Sequence, residues 1–283
     1  MMNSIKSTLN RKVTIKCGNK TFQFGTKTYI MGILNITPDS FSDGGNYFEL
    51  YKAIEHANEM IKEGADIIDV GGESTRPGAD EVDVKTELKR VLPIVEKLVA
   101  EVNIPISVDT YKAEVAEKVL EAGAHMINDV WGLQREPQIA NIVAKYNVPV
   151  VIMHNQKGTE YKTDIMESIK EFLKKSIQIA KTAGIQEENI IVDPGLGFGK
   201  NFEQNIEVMS RLGELNELGY PILLGTSRKS MIGKILDLEP KARVEGTLST
   251  TVMGIIQGVD MVRVHDIKEN FRTIKVTDKI VRS

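Results

Sequence analysis

Basic side chains lie at the C-terminal ends of three short apolar runs in this sequence. Arg76, Lys229, Arg263 and His265 occupy these positions, and Arg263 and His265 are two residues apart, which in a strand places them on one side. Arginine binds phosphate oxygens through a planar fork, and lysine binds them as a point charge. Any one of these residues taken alone could be a solvated surface charge, but four together predict an anionic substrate.

Two acids end apolar runs. Asp109 closes ISVD and Asp193 closes IIVD, and Asn128 ends a third run. A carboxylate in this position can accept two hydrogen bonds from an amidine-like edge such as an aminopyrimidine, and an asparagine beside it can donate and accept. The alternative is a structural N-cap at a strand-to-helix turn, which suits Asp and Asn in general. Both interpretations stay open, and the N-cap is the stronger rival for Asp109, which precedes a helical stretch.

The sequence has no His-x-x-x-His or paired-cysteine pattern typical of a zinc site. Asn35 offers a neutral oxygen, and Mg²⁺ commonly takes one or two protein oxygens together with substrate phosphates and water. We therefore predict a Mg²⁺ ion that arrives with the substrate, and no permanently bound metal. His125 and His154 lie in or at the end of apolar runs and are expected to be packed histidines.

Eight apolar runs precede these polar clusters. They are rich in Ile and Val and do not alternate cleanly, as is typical of parallel strands covered on both faces. Amphipathic helical stretches separate them, and several of these stretches end at a glycine, which is a C-cap signal. The predicted helical stretches are Ala53–Glu63, Val84–Val102, Ala113–Glu121, Glu136–Tyr146, Asp164–Ala183, Phe202–Leu218 and Leu248–Gln257. The runs are Tyr29–Leu34, Asp66–Val70, Ile104–Val108, His125–Asn128, Val148–Met153, Asn189–Val192, Pro221–Leu224 and Asp260–Val264.

This alternation predicts an α/β protein with a (β/α)8 TIM barrel, and an open doubly wound sheet is the alternative. In such a barrel the site is built at the C-terminal ends of the strands, where every run here ends in polar or glycine-rich residues. An alternating pair of segments around Gly18-Asn19 predicts an N-terminal β-hairpin that closes one end. We assign residues 1–28 to an N-terminal arm and hairpin, and residues 29–283 to a single barrel domain.

Composition limits the function classes. A net charge of −3 over 283 residues argues against a dedicated nucleic-acid-binding protein. Cys17 is the only cysteine, which excludes an intramolecular disulfide and fits a reducing cytoplasm. No apolar window has the length of a transmembrane helix, so no membrane partner is expected.

Five segments, taken in this order, carry a family resemblance: MGILNITPDSFSDGG, DVGGESTRPGA, DPGLGFGK, GTSRKSMIG and RVHD. They resemble the signature segments of dihydropteroate synthases from about Tyr29 to the C-terminus. The resemblance implies a pterin-binding (β/α)8 transferase of folate biosynthesis. It would condense a dihydropterin methyl diphosphate with 4-aminobenzoate, as a cytoplasmic homodimer that is inhibited by sulfonamides.

The resemblance also implies residue roles. Asp109, Asp193 and Lys229 would be catalytic and, with Asn128, would hold the pterin. Asn35 would bind Mg²⁺, and Arg263 and His265 would bind the diphosphate with Thr75 nearby. The residues that would shape the aminobenzoate pocket are Thr75, Arg76, Pro77, Phe198 and Ser230, with the loop around Phe41 closing over it.

Three other functions fit parts of the pattern. A pterin-binding module without turnover would retain the fold, a Schiff-base aldolase would use Lys229 as its nucleophile, and a pterin-dependent methyltransferase would share the pterin-facing acids. The segment MHNQKGTEYK is compact compared with one common version of the family, and Gly225-Thr226 varies a familiar pair. Neither departure changes a residue to which a role is assigned.

Overall fold

A computed structural model describes residues 13–36, 46–74 and 80–282, excluding the side chains of residues 46–49. It begins with an antiparallel hairpin of β1 (Thr14–Cys17) and β2 (Lys20–Gln23). Gly18 makes the turn with φ +58°, a backbone conformation that glycine adopts without steric cost. The predicted hairpin is therefore confirmed.

Eight parallel strands follow: β3 (Tyr29–Asn35), β4 (Ile67–Gly71), β5 (Ile106–Asp109), β6 (Met126–Asp129), β7 (Val150–Met153), β8 (Ile190–Asp193), β9 (Leu223–Leu224) and β10 (Met261–Val264). Their spatial order is β8-β7-β6-β5-β4-β3-β10-β9. A parallel bridge between Val192 of β8 and Ile222, next to β9, joins the two ends of the sheet. The predicted TIM barrel is therefore confirmed.

Helices cover the outer face of the barrel. The Val84–Glu101 helix begins at Asp83, whose side chain accepts from the Thr86 amide, and the Ile165–Thr182 helix begins at Asp164 in the same way. A buried aliphatic layer lies between helices and strands. The other α-helices of the described residues are Asn46–Glu63, Ala113–Glu121, Gln138–Tyr146, Phe202–Ser210, Ser230–Leu236, Val244–Ile256 and Ile267–Val281.

The hairpin packs against the N-terminal ends of the barrel strands. Its buried Ile15 and Phe22 share one apolar cluster with Met31, Ile67 and Met126 from the barrel strands. Because this cluster closes the N-terminal end, the C-terminal ends of the strands remain as the place for a site.

One predicted helix is divided in the structure. The pattern predicts a single helix over Phe202–Leu218, but the α-helix ends at Ser210 and a 3₁₀ segment runs over Leu212–Leu218. Arg211 leaves helical geometry there, and the Gln257 side chain accepts from the Gly213 amide at 3.0 Å. Over the described residues, no helix combines the length and apolar character needed to cross a membrane.

Candidate active site

An arginine lies between two carboxylates at the C-terminal mouth of the barrel. Arg263 Nε donates to Asp69 Oδ2 at 2.6 Å, and its Nη2 donates to Asp109 Oδ2 at 2.8 Å. Asn128 Nδ2 donates to the same Asp69 oxygen at 3.1 Å. One hydrogen-bonded cluster thus contains residues from the neighbouring strands β4, β5 and β6 and from β10, which is distant from them in sequence.

Asp109 is not an N-cap. The helix that follows it begins at Ala113 after Lys112, and its N-cap makes no side-chain hydrogen bond. The Oδ1 atoms of Asp109 and Asp69 are buried without a hydrogen-bond partner among the described residues. Because an unpaired buried acceptor is costly, these two oxygens fit a site whose donors come from a ligand.

Asp193 and Lys229 form the second part of the site. Asp193 Oδ1 accepts from the Gly195 amide at 2.7 Å. Lys229 Nζ donates to the Leu196 carbonyl and lies 4.8 Å from the centre of the Phe198 ring. Asp193 is therefore partly a turn-forming residue, but this role uses only one of its two oxygens.

The two parts meet around Gly225. A Cβ atom placed on this glycine would lie 3.9 Å from Lys229 Nζ, 3.9 Å from Arg263 Cβ and 4.0 Å from Asp193 Oδ2. The predicted convergence of Asp109, Asp193, Lys229 and Arg263 at one mouth is thus present in the structure.

Burial changes the protonation of this cluster. It raises the pKa of Asp109 to about 7, against the opposing effect of Arg263, and it raises the pKa of Asp193 against that of Lys229. Burial also lowers the pKa of Lys229 to about 8, although Asp193 acts to raise it. Shifts of this kind on neighbouring groups in one cleft are typical of functional sites.

Asn35 lies at the same mouth. A Cβ on Gly71 would lie 3.6 Å from Asn35 Oδ1 and 3.9 Å from Asp109 Oδ2, so both oxygens flank a position that carries no side chain. No cluster of three or more His, Cys, Asp or Glu residues that could hold a metal occurs among the described residues. One amide oxygen beside one carboxylate fits a Mg²⁺ ion held mainly by substrate phosphates.

The remaining predicted residues lie around this centre. His265 is bound to Ser227, with Nδ1 2.9 Å from Oγ, and Ser230 is exposed in the first turn of its helix. Phe198 lines a neighbouring cavity of about 360 Å³ together with Tyr111 and Trp131. Thr75, Arg76, Pro77 and Phe41 lie outside the described residues, so their roles stay predictions.

Asp69 was missing from the sequence prediction. It is fully buried in the apolar run IIDVG of β4, and both Arg263 and Asn128 donate to it. A charged residue inside a strand that is otherwise Ile and Val is a signal that could have found it, because buried charges are paired or functional.

The two histidines are packed, as predicted. His154 is 2% exposed, and its Nδ1 lies 2.9 Å from Lys200 Nζ. His125 Nδ1 accepts from the Ile106 amide at 3.1 Å. Cys17 is buried at the end of hairpin strand β1, where burial raises the pKa of its thiol to about 12, so it is an unreactive packed residue.

Comparison with known proteins agrees with this geometry. Residues 31–265 match the family described as pterin binding enzyme. The chain is 57% identical over 269 residues to a dihydropteroate synthase of Clostridium beijerinckii, covering 95% of this chain and all of the relative. The chain belongs to the dihydropteroate synthase family of pterin-binding enzymes.

Solved structures agree with the family assignment. A dihydropteroate synthase from Clostridium difficile, solved in the presence of pteroic acid, superposes with a TM-score of 0.91 at 60% identity and covers 93% of this chain and 100% of its own. A Xanthomonas albilineans dihydropteroate synthase with 4-aminobenzoic acid superposes with a TM-score of 0.90 at 40% identity, covering 95% and 98%.

Proposed function

We propose that this protein is a dihydropteroate synthase that joins (7,8-dihydropterin-6-yl)methyl diphosphate to 4-aminobenzoate and releases diphosphate. The observation that carries the proposal is the cluster in which Arg263 lies between Asp69 and Asp109 and meets Asp193 and Lys229 around Gly225. The pterin-binding family and the ligands named for its relatives support the same substrates.

The pterin ring is held by the acids and the amide. A 2-aminopyrimidine edge carries N–H donors, and the unpaired Oδ1 atoms of Asp69 and Asp109 are buried acceptors at the mouth. Asn128 completes this edge because its side chain carries both a donor and an acceptor. The roles of Asp109, Asn128, Asp193 and Lys229 toward the ring are part of this proposal.

The reaction breaks a CH₂–O bond to diphosphate and forms a C–N bond at the same carbon. Positive charge develops on the pterin methylene as the diphosphate leaves, and the ionised carboxylates of Asp109 and Asp193 stabilise it in a site shielded from water. The weakly basic aniline nitrogen then attacks this carbon, and the proton that it loses on forming the C–N bond passes to water. No strong general base is required.

Arg263 and His265 bind the departing diphosphate, and Asn35 would hold a Mg²⁺ ion that arrives with it. When bound, this ion neutralises charge on the diphosphate oxygens. The aminobenzoate ring packs against Phe198, and its carboxylate is held by Ser230. Thr75, Arg76 and Pro77 complete that pocket in this proposal.

Two features of the molecule's context belong to the proposal as well. We propose a homodimer, following the family resemblance, and a cytoplasmic location, supported by the presence of a single cysteine, which fits a reducing compartment. Sedimentation of the purified protein at several concentrations tests the dimer.

A coupled assay tests the function. The protein is given the pterin diphosphate, 4-aminobenzoate and Mg²⁺, and formation of dihydropteroate and of diphosphate is measured. We expect both products in equal amounts, with a rate that falls on chelation of Mg²⁺ and recovers on its return. An Asn35→Ala variant should need more Mg²⁺ for half-maximal rate. Binding of a pterin without formation of product would contradict the synthase function and favour the alternative of a pterin-binding module without catalytic activity.

A further inference from the structure

The ammonium of Lys200 is buried and bonded only to neutral acceptors. Lys200 is 8% exposed, and its Nζ lies 2.9 Å from His154 Nδ1, 2.8 Å from the Gly195 carbonyl and 3.0 Å from the Phe198 carbonyl. Among the described residues it forms no salt bridge. These three contacts use all three of its donors.

Two of these acceptors belong to the segment Pro194–Gly199, which follows β8. This segment reverses direction through Gly195, Gly197 and Gly199, whose φ angles are +66°, +83° and +57°. Glycine permits this path but does not fix it, because glycine populates many backbone conformations. One backbone hydrogen bond, from the Phe198 amide to the Gly195 carbonyl at 3.0 Å, lies within the segment, and the other contacts that fix the path come from outside it.

Two lysines supply three of these contacts, and the Tyr161 hydroxyl donates to the Gly199 carbonyl at 2.9 Å. Lys200 holds the carbonyls of Gly195 and Phe198, and Lys229 holds the carbonyl of Leu196 between them. The Asn205 side chain also accepts from the Gly197 amide at 2.6 Å. Lys229 faces Asp193 and the pterin site, whereas Lys200 is bonded to His154.

We propose that Lys200 is a positioning residue whose buried ammonium fixes the Pro194–Gly199 segment, so that the Phe198 ring and the Leu196 carbonyl hold Lys229 beside Asp193. Lys200 acts on the position of the backbone, because its hydrogen bond goes to the main-chain carbonyl of Phe198 and not to the ring. The charge of Lys200 also opposes, less than that of Lys229, the burial that raises the pKa of the Asp193 carboxyl. The inference rests on the proposed synthase function for its kinetic readout.

A double-mutant cycle tests the proposal. Lys200→Met keeps the length of the side chain and removes the charge and all three donors. We expect it to raise the KM for 4-aminobenzoate about tenfold, and to raise it less than about threefold further when Phe198→Ala is already present, because a positioning effect is lost with the ring it positions. Equal fold-changes in both backgrounds, or an unchanged KM, would overturn the proposal.

Lys170→Met is the matched control. Lys170 is 6% exposed and lies away from the barrel mouth, but its ammonium, unlike that of Lys200, pairs with the exposed carboxylates of Glu167 and Glu217 on the outer helices. We expect its loss to leave the KM for 4-aminobenzoate unchanged. If both control and test variants raise that KM equally, burial of a lysine is the cause and positioning is refuted.

Binding without turnover separates this inference from the proposed function. Trp131 is the only tryptophan, and it lines the same cavity as Phe198 and Lys200. Titration with pteroic acid, followed by Trp131 fluorescence, should give an affinity that Lys200→Met weakens and Lys170→Met does not. Wild-type protein that binds pteroic acid but forms no product would refute the synthase function while the Lys200 comparison stands on binding.

A second variant covers a failure to fold. Lys200→Gln keeps a polar side chain that can donate to one of the two carbonyls, and we expect a folded protein with a smaller rise in the same KM. Loss of folded protein in both Lys200→Met and Lys200→Gln, judged by circular dichroism, would assign the lysine to stability and overturn the positioning role.

Discussion

The guanidinium of Arg263 donates to the carboxylate of Asp109 at 2.8 Å, across 154 positions of the chain. The two residues lie on β10 and β5, which are not adjacent in the sheet. The contact therefore crosses the mouth of the barrel. Asp69 binds the same guanidinium through Nε, so the orientation of Arg263 is set by two carboxylates.

Asp69→Asn tests whether this second carboxylate orients the arginine. An amide keeps the volume but replaces a charged acceptor, and loss of a charged hydrogen bond costs about 1.5–3 kcal/mol. We expect the affinity for pterin diphosphate to fall about 10- to 100-fold, measured by calorimetry.

Asp129→Asn is the control for that change. Asp129 is equally buried at the end of β6, but the amides of Trp131 and Leu133 bind its carboxylate. The Asp129→Asn substitution should lower the unfolding temperature and leave the affinity of the folded protein for pterin diphosphate near that of the wild type. Equal losses of affinity in both variants would mean that Asp69 has no special part in the site.

The sequence alone predicts the barrel fold and most of the residues that meet at the barrel mouth. Eight Ile- and Val-rich runs predict the strands to within a few residues, because parallel strands buried on both faces leave a continuous apolar signal. The division at Ser210 was not predictable, because it depends on Gln257, which is distant in sequence. The final helix, Ile267–Val281, also lies outside the predicted stretches.

The sequence predicts several of the residues that gather at the barrel mouth, but not the hydrogen bonds among them. Strand-end residues such as Asp109 and Lys229 follow from the rule that a barrel's site is at the C-terminal ends of its strands. Asp69 lies two residues before the end of β4, and Lys200 looks like a surface lysine at the start of a helix. Their partners come from other strands and loops, and no local pattern encodes those contacts.

Asp109→Asn separates charge from shape. The amide fits the same space, so binding of the pterin should change little, but the developing positive charge loses its carboxylate. We expect kcat to fall roughly 100-fold, measured in single-turnover experiments with both substrates saturating. An unchanged kcat would remove Asp109 from the mechanism.

The same variant changes the dependence of stability on pH. The pKa of Asp109 is raised from 3.8 to about 7, so the folded protein retains a proton that the unfolded chain has lost in this range. This group's contribution to stability is present below pH 4 and is lost as the pH rises to about 7. Urea unfolding from pH 4 to 7 should show Asp109→Asn gaining stability relative to the wild type. A constant difference would contradict the shift.

Arg263→Ala removes the cation from the mouth. Truncating one member of a buried, hydrogen-bonded charge set costs about 2–5 kcal/mol, and here it also leaves Asp69 and Asp109 without their shared donor. We expect the binding free energy of the pterin diphosphate to become less favourable by about 2–5 kcal/mol. Arg211→Ala, which removes an arginine paired with Asp164 and Glu214 on the outer surface, is the control and should bind as the wild type does.

The activity should depend on pH through both carboxylate and lysine. An ionised Asp109 and a protonated Lys229 are both required in the proposed site, with pKa values of about 7 and about 8. We expect kcat/KM for the pterin diphosphate to rise near pH 7 and to fall above pH 8. Lys229→Arg should move the alkaline limb to higher pH, because arginine stays protonated. A limb that does not move would assign it to another group.

Sulfonamides should compete with 4-aminobenzoate, since they present an aniline ring of similar shape to the pocket beside Phe198. We expect a sulfonamide to raise the apparent KM for 4-aminobenzoate and to leave the KM for the pterin diphosphate unchanged. Phe198→Ala should weaken the binding of 4-aminobenzoate and of the sulfonamide together, because the aromatic face of Phe198 packs against each of them. The exposed Phe271 is a matched control, and Phe271→Ala should alter neither value. Inhibition that 4-aminobenzoate cannot relieve would place the sulfonamide outside this pocket and would contradict the assignment of Phe198.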